Sequence, residues 1–456
     1  MHSNLEDNPL NHFEPYLPLL SEALQKLDAW RNRFGEHAGI AQADPDEIRN
    51  ILSDLETRLE GNYPFHHPQY AGQMLKPPHP VAWLAYALTA TINPNNHALD
   101  GGPPTSQMEK EAVAHLAGMV GYEENWLGHL TSAGTIANLE ALFVSREIHP
   151  GKKVAATANA HYTHSRMSHV LNMPFLEIPV SARGVPDLDF IDMHGREIGT
   201  LVVTMGTTGL GYVEPLGEML ALSKKHGFRI HADAAYGGFF RLIAPDLPKH
   251  ADWNLLSEAD SIVIDPHKHG LQPYGCGSVL YKDASVGRFF KHDSPYTYFT
   301  SDQLHLGEIS LECSRAGASA AAFWATLELL PLTPDGLGSV LRKARNASVS
   351  FTERVKESKE FDLYTEPDLD IAGYFKIPGQ KTASAVSESS QRIFREGMEN
   401  PESGYHLSLF RVPAAHFCTI FHDYDADAHD VVLLRSVFMK EEHEAYIDIL
   451  ADRLGM

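Results

Sequence analysis

The chain has 456 residues, 43% of them hydrophobic and 21% charged, and 59 acidic against 37 basic side chains give a formal charge of −22. This length exceeds what one hydrophobic core usually supports, and the composition is that of a globular protein. The negative charge argues against nucleic acid and membrane surfaces as partners, because both require basic surfaces.

The three cysteines, Cys276, Cys313 and Cys418, lie far apart and form no CxxC pair. We therefore expect no disulfide framework and a reducing compartment. The N-terminal residues lack the basic start and apolar run of a signal peptide, and no segment approaches the roughly 18 apolar residues of a membrane helix. These features predict a cytoplasmic protein.

Three regions are predicted along the chain. An N-terminal segment, residues 1–100, is mostly helical and contains an apolar helix at 81–91. A large domain, residues 101–345, alternates helices with short apolar strands. A small domain, residues 346–456, carries further strands and a closing amphipathic helix.

The large domain contains six candidate strands, which read KKVAATAN, FLEIPV, GTLVVTMG, FRIHADAA, DSIVIDPH and SVLYK. Alternation of such strands with helices indicates an α/β fold with a mostly parallel sheet. Ligands bind such sheets at the carboxyl ends of the strands. Asp233 and Lys268 both follow strands at those ends.

Lys268 stands between two histidines in SIVIDPHKHG, directly after a strand. One interpretation is a solvated surface lysine, as most lysines are. The other is a nucleophilic amine that forms an imine with a carbonyl cofactor. Four motifs upstream bear on this choice.

The first two motifs offer an anion site and a buried acid. In HLTSAGTIANLEAL, small and hydroxyl residues precede an apolar helix and indicate either a phosphate cradle or a plain N-cap, at residues 131–135. In HADAAYGGFF, Asp233 ends a strand. This carboxylate either holds the ring nitrogen of a pyridine protonated or is an ordinary strand-end aspartate.

The other two motifs offer an imidazole and a threonine turn. In TANAHYTHSRMSH, His161 suits stacking on a flat cofactor ring, and His164 and His169 lie nearby. A metal site is the alternative, but no Cys or carboxylate cluster has ligand spacing, so we expect no metal. TMGTTGLG, around Thr207, is either a simple turn or a close approach to a ligand.

In this order the motifs TSAGTxAN, AHY, GTTGxG, HxDAAYGG and DPHK resemble the group II pyridoxal-phosphate-dependent amino-acid decarboxylases, of aminotransferase fold type I. The family includes glutamate, aromatic L-amino-acid, cysteine-sulfinate and archaeal tyrosine/aspartate decarboxylases. The resemblance, from about residue 67 onwards, implies a seven-stranded, mostly parallel sheet between helices and a small C-terminal α+β domain. It also implies pyridoxal 5′-phosphate as cofactor and a homodimer.

The resemblance further implies a role for individual residues. Lys268 is the Schiff-base lysine that forms the internal aldimine, Asp233 the partner of the pyridine nitrogen, and His161 the stacked imidazole. The phosphate cradle consists of Ser132, Ala133, Gly134 and Thr135. Thr207 and His267 make lesser cofactor contacts, and Ala235 is the small residue under the ring. The implied reaction is α-decarboxylation of an L-amino acid to an amine and CO2.

Two further residues are assigned to the substrate. Tyr296 or Tyr298, in the segment that resembles the family's mobile loop, is the expected proton donor, unless both are packing aromatics. Arg435 matches an arginine that contacts the substrate α-carboxylate, with a salt bridge between subdomains as the alternative. Residues with no assigned role are Gln73, Asn95, Asn96, His97 and Arg315.

The substrate is not predicted, because the stretch NPNNHALDGGPPTSQMEKE differs from the glutamate and aromatic decarboxylases. Other reactions of the same fold type remain open, namely aldehyde synthesis and carbon–carbon bond cleavage. A cofactor-binding protein without turnover is a third interpretation. The Asp233 and Lys268 pair argues against it, since a binding module needs no electron sink.

Overall fold

The computed structural model describes residues 13–35, 44–291, 309–400 and 404–456. Its first four helices are α1 (Leu17–Arg31), α2 (Pro45–Leu59), α3 (Pro80–Ala90) and α4 (Pro103–Val120). Neither α1 nor α2 contains a buried residue, whereas α4 buries one face against the large sheet. Within the described ranges, no helix combines the length and apolar character needed to cross a bilayer.

A seven-stranded sheet forms the centre of the large domain. Its strands are β1 (Leu127–Thr131), β2 (Lys153–Thr157), β3 (Phe175–Ile178), β4 (Ile198–Thr204), β5 (Arg229–Asp233), β6 (Ser261–Ile264) and β7 (Gly277–Tyr281). They lie in the order β1-β7-β6-β5-β4-β2-β3, and only β7 runs antiparallel to its neighbours. The predicted mostly parallel, seven-stranded sheet is confirmed.

Helices cover both faces of this sheet. The helices that follow α4 as far as the small domain are α5 (Gly134–Ile148), α6 (Thr163–Val170), α7 (Leu188–His194), α8 (Leu216–His226), α9 (His250–Asn254), α10 (Gly317–Leu329) and α11 (Leu337–Glu357), and 3-10 turns lie at Asn32–Phe34, Gly238–Asp246, Leu256–Glu258 and Ala284–Phe289. Successive residues of β4 point to opposite cores: Val202 packs with α6, and Val203 packs with α8. A strand buried on both faces is continuously apolar, which is why its sequence shows no alternation.

The sequence prediction omitted β1, because its residues Gly128 and His129 interrupt the apolar pattern. The imidazole of His129 is fully buried, and its Nε2 lies 2.7 Å from the Glu140 carboxylate on α5. A Cβ at position 128 would lie 2.6 Å from Leu280, so the close strand contact requires glycine there. Both unfavourable residues are thus explained by neighbours distant in sequence.

The small domain is an antiparallel sheet covered by helices. Its strands β8 (Phe361–Thr365), β9 (Ile371–Lys376), β10 (Ser408–Pro413) and β11 (Asp430–Val437) lie in the order β10-β11-β9-β8. Its helices are α12 (Ala383–Glu399), α13 (Ala414–Ile420) and α14 (His443–Leu454), of which only α14 was predicted. The predicted division at residue 345 falls inside α11, which contacts both parts, so the exact division stays a prediction.

Candidate active site

Two adjoining cavities lie at the carboxyl ends of β2, β4, β5 and β6. The inner cavity, of about 180 Å³, is bounded by the start of α5, Asp233 and Ala235. The outer cavity, of about 820 Å³, extends to β10 and β11 of the small sheet. Lys268 and His161 line both cavities, so they stand at the junction between them.

The first turn of α5 presents unpaired donors to the inner cavity. The N-cap residue is Ala133, and no side chain caps the helix. Within the described chain, the backbone N–H groups of Ala133, Gly134 and Thr135 have no acceptor, while that of Ser132 donates to Glu312 at 2.8 Å. The alternative of a plain Ser or Thr cap is therefore wrong. A helix start with free N–H groups is suited to a phosphate.

Asp233 is a buried carboxylate kept in its charged form. Its Oδ2 accepts a 2.7 Å hydrogen bond from Nε2 of His164, and its Oδ1 accepts one from the backbone N–H of Ala235. Burial alone would raise the pKa of Asp233, but the hydrogen bond and charge of His164 and the charge of Lys268 lower it below its ordinary value. The inner cavity therefore contains a fixed negative charge.

Glu214 is a second buried acid near Asp233, and its pKa shifts in the opposite direction. Its carboxyl group accepts hydrogen bonds from Thr157 and from the backbone N–H of Thr204. Burial raises the pKa of Glu214 to about 7, and the Asp233 charge adds to that effect. One acid is thus charged and its neighbour is neutral at mildly acidic pH.

Glu214→Gln is expected to stabilise the protein increasingly as pH rises from about 4.5 to about 7, by up to about 3 kcal/mol. In that window the unfolded chain releases the proton of Glu214 and the folded chain keeps it, so the parent loses stability and the glutamine variant does not. Urea unfolding at pH about 5 and about 8 measures the difference. Parallel pH dependences would contradict it.

Lys268 lies beside Asp265, a buried acid with one carboxylate oxygen that has no hydrogen-bond partner among the described residues. Its Nζ is 3.2 Å from Oδ2 of Asp265, and Nε2 of His267 is 3.6 Å from the same oxygen. Oδ1 of Asp265 is buried and has no partner among the described residues. A Cβ at Gly134 would lie 2.6 Å from Asp265, so the cradle requires glycine where helix and strand end meet. Nδ1 of His267 lies 2.6 Å from the Cys276 carbonyl.

The remaining predicted contacts surround this core. Nδ1 of His161 lies 2.6 Å from the Thr163 hydroxyl, and burial lowers the pKa of His161, which favours the neutral ring. The small side chain of Ala235 lines the inner cavity. Thr207 lines the outer cavity, and its hydroxyl accepts the backbone N–H of Tyr212, which closes the turn.

Arg435 also lines the outer cavity, but most of its donors are already used. Its guanidinium donates to the carbonyls of Thr208 and Gly209 at 2.7 and 2.6 Å, to that of Gly72 at 3.2 Å, and to the Ser408 hydroxyl at 2.9 Å. Burial lowers its pKa. Of five N–H groups only one remains, so a bidentate grip on a carboxylate requires some of these bonds to open.

The residues without an assigned role separate into two places. Gln73 lines the outer cavity. Asn96 and Arg315 instead form a buried polar cluster with Glu109, which accepts hydrogen bonds from both. The side-chain Oδ1 of Asn95 accepts the backbone N–H groups of Arg315 and His97. Tyr296 and Tyr298 lie outside the described residues.

The site also contains residues to which sequence reasoning gave no role. His164, whose hydrogen bond positions the carboxylate of Asp233, follows His161 by three positions and lies at the start of α6. Asp265 was quoted only as part of DPHK. Among the described residues, no group of three or more His, Cys, Asp and Glu side chains is arranged to hold a metal ion.

The positions and charges of these residues fit pyridoxal phosphate. Free helix-start N–H groups suit its phosphate, the charged carboxylate of Asp233 suits its ring nitrogen, and the amine of Lys268 lies at the junction of the cavities. The fold and the site thus define a pyridoxal-phosphate enzyme of fold type I.

Comparison with known proteins identifies the family. The model of the pyridoxal-dependent decarboxylase conserved domain matches residues 36–374. L-tyrosine decarboxylase of Enterococcus faecium is 25% identical, covering 83% of this chain and 82% of its own. The probable L-tyrosine/L-aspartate decarboxylase of Methanococcus maripaludis is 27% identical, covering 75% and 90%. The crystal structure of Oryza sativa TDC with PLP and tryptamine superposes with a TM-score of 0.77 at 14% identity, covering 98% of each chain.

The chain belongs to the pyridoxal-dependent decarboxylase family. It is a pyridoxal-phosphate-dependent amino-acid decarboxylase, as the motifs predicted.

Proposed function

We propose that the protein converts an L-amino acid to its amine and CO2, with Lys268 as the residue that binds the cofactor covalently. One observation carries this assignment: the Lys268 side chain, the charged carboxylate of Asp233 and the free N–H groups of α5 open onto one cavity of about 180 Å³. A carbonyl, a ring nitrogen and a phosphate are the three groups that these residues would bind.

Pyridoxal phosphate, when bound, supplies an electron sink for the pair released as the carboxylate leaves. Asp233 would hold a proton at the pyridine nitrogen, because its lowered pKa keeps its carboxylate charged. His164 positions this carboxylate through its 2.7 Å hydrogen bond. The free N–H groups of Gly134 and Thr135 would bind the phosphate, and the ring of His161 would stack on the cofactor ring.

Arg435 is proposed to contact the α-carboxylate of the substrate through its remaining N–H group. Its four hydrogen bonds to the chain support this role, because they fix the guanidinium at the wall of the outer cavity. The same bonds hold the turn at Thr208 and Gly209 in place. The interdomain salt-bridge alternative receives no support among the described residues, since its partners there are carbonyls and a hydroxyl.

Tyr296→Phe is expected to slow amine formation and to yield aldehyde, because the proposed role of Tyr296 is to deliver a proton to the former Cα. Delayed protonation lets dioxygen compete, giving aldehyde, ammonia and hydrogen peroxide in place of amine. Amine, aldehyde and CO2 are measured together, with Tyr298→Phe as the matched control. Unchanged amine yield from Tyr296→Phe would transfer the role to Tyr298.

The function is tested by mixing the purified protein and cofactor with acidic, aromatic, aliphatic and basic L-amino acids. Release of CO2 with an equal amount of amine supports the proposal. Aldehyde in place of amine would favour an aldehyde synthase, and cleavage without CO2 would favour a carbon–carbon lyase.

We also propose that the protein is a cytoplasmic homodimer. Helix α2 places Ile48, Ile51, Leu52, Leu55 and Leu59 on one face, with Ile51 68% exposed. Such a stripe normally packs against a partner surface, and a second copy would cover it. The three cysteines are all free, which suits a reducing compartment. Sedimentation of an active monomer would contradict the dimer.

A further inference from the structure

One buried carboxylate of the small domain contacts two turns of the large domain. Asp370 lies directly before β9, and its side chain is fully buried. The hydroxyl of Tyr236 donates to Oδ1 of Asp370 at 2.6 Å, and Nε2 of His269 lies 3.2 Å from Oδ2. Tyr236 is in the turn after β5 that begins at Asp233, and His269 directly follows Lys268 after β6. Asp370 therefore joins the two turns that carry the proposed cofactor residues.

The imidazole of His269 is fully buried and is held from several directions. Its ring centroid lies 4.7 Å from that of Tyr236 and 4.9 Å from that of Phe240, both in edge-to-face geometry. Burial lowers the pKa of His269, which favours the neutral ring. A neutral ring that turns Nε2 to a carboxylate carries its proton on that nitrogen. Asp370 and two aromatic rings thus fix the residue next to Lys268.

Asp370 is a charged group in the interior of the protein. Burial alone would raise its pKa, but the contacts with His269 and Tyr236 lower it below its ordinary value. A buried carboxylate stays charged only where donors face it, so loss of either contact carries a large cost. The separation of the two turns is therefore tightly fixed by this one side chain.

We propose that Asp370 is a positioning residue, which holds the turns after β5 and β6 so that the carboxylate of Asp233 and the amine of Lys268 face one cofactor. The inference rests on the proposed function, which gives those two residues their roles. Tyr236 is among the described residues that line the inner cavity, whereas Asp370 and His269 line neither cavity. Asp370 thus acts through its neighbours, and small displacements of groups at a reacting centre have large effects.

The test measures cofactor binding as well as turnover. Tyr236→Phe and His269→Leu each remove one contact with Asp370 and keep a side chain that packs in the interior. Each should raise the Kd for pyridoxal phosphate about 10-fold, in an absorbance titration of the full chain after cofactor removal, and slow borohydride fixation at Lys268. His269→Gln should recover part of the loss, because its amide N–H takes the place of Nε2–H.

Turnover gives a second readout. At saturating cofactor, kcat of Tyr236→Phe and His269→Leu should fall about 10-fold with KM for the amino acid little changed, since the altered contacts lie away from the outer cavity. In an Asp370→Asn background, His269→Leu should cause a smaller further loss than it does in the parent, because residues that act through one partner are not additive.

Asp368→Asn is the matched control. Asp368 precedes Asp370 by two positions and also joins the small domain to the large one: its Oδ2 lies 2.6 Å from Nζ of Lys249 and accepts the backbone N–H of Val213 at 2.9 Å. None of these three residues lines the inner or the outer cavity. Loss of this interdomain ion pair should leave the cofactor Kd, fixation by borohydride and kcat unchanged.

The outcomes separate the inference from the function. A parent that borohydride labels at a lysine other than Lys268 overturns the proposed function, and the inference with it. A parent labelled at Lys268 whose Tyr236→Phe and His269→Leu variants match Asp368→Asn overturns the inference alone. So do lower melting temperatures with parental Kd and kcat, since these would assign a structural role only. If His269→Leu does not fold, Tyr236→Phe, which removes a single oxygen, decides the test.

Discussion

Lys268→Ala is expected to lower kcat by about 10³-fold or more, because no other amine takes its place at the junction of the two cavities. The free N–H groups at Ala133, Gly134 and Thr135 remain, so the variant should still bind pyridoxal phosphate noncovalently. Borohydride should fix the cofactor to the parent protein and leave the variant unlabelled. Turnover and mass spectrometry of peptides measure both effects.

The control for this experiment is Lys282→Ala. Lys282 is an exposed lysine that follows β7, and it lies in neither cavity. Its replacement should leave both labelling and turnover unchanged. A labelled peptide that contains a lysine other than Lys268 in the parent would disprove the site assignment.

Asp233→Asn is expected to lower kcat by about 10²-fold or more while the fold is retained. Asparagine keeps an oxygen that accepts the hydrogen bond from His164, but it removes the buried negative charge proposed to hold a proton at the pyridine nitrogen. The activity of the cofactor-loaded variant and its thermal unfolding together separate a catalytic loss from a structural one. A variant with parental kcat would show that the charge at this position is not used.

The proposed role of His164 is to position Asp233, so its replacement is expected to give a different signature. In His164→Phe the hydrogen bond is lost, and the pKa of Asp233 should rise towards its ordinary value. In the parent, the lowered pKa of Asp233 stabilises the folded protein at pH values above the unfolded-state pKa of about 3.9, and this stability is lost as pH falls through the folded-state pKa. The variant lacks this contribution, so its free energy of unfolding should be lower than that of the parent in acid. As pH is lowered, the activity of the variant should also begin to fall at a higher pH than the activity of the parent.

The sequence predicted the elements whose signal is local. Six of the seven large-sheet strands were predicted from short, mostly apolar runs between helices, and Asp233 and Lys268 were placed correctly at strand ends because parallel strands expose their carboxyl ends at one edge. Strand β1 was missed because the partner that compensates its buried histidine, Glu140, is on the following helix.

The contacts between distant residues were not predictable in the same way. Nothing near Arg435 in the sequence indicates that its guanidinium meets the carbonyls of Gly72, Thr208 and Gly209. The same is true of the hydrogen bond from His164 to Asp233, which joins residues on a helix and a strand. Local pattern identifies which residues reach the strand ends, and tertiary packing decides what each of them binds.

The hydrogen bonds of Arg435 have a consequence for folding. They join β11 to chain segments 226, 227 and 363 residues earlier, so the outer wall of the site depends on contacts of very long sequence separation. Contacts of this kind form late, because closing long loops costs entropy before the contact is gained. During synthesis, the strand ends of the large sheet emerge from the ribosome well before β11 does. We therefore expect the outer wall of the substrate pocket to form only after β11 has been synthesised, later than the strand ends of the large sheet.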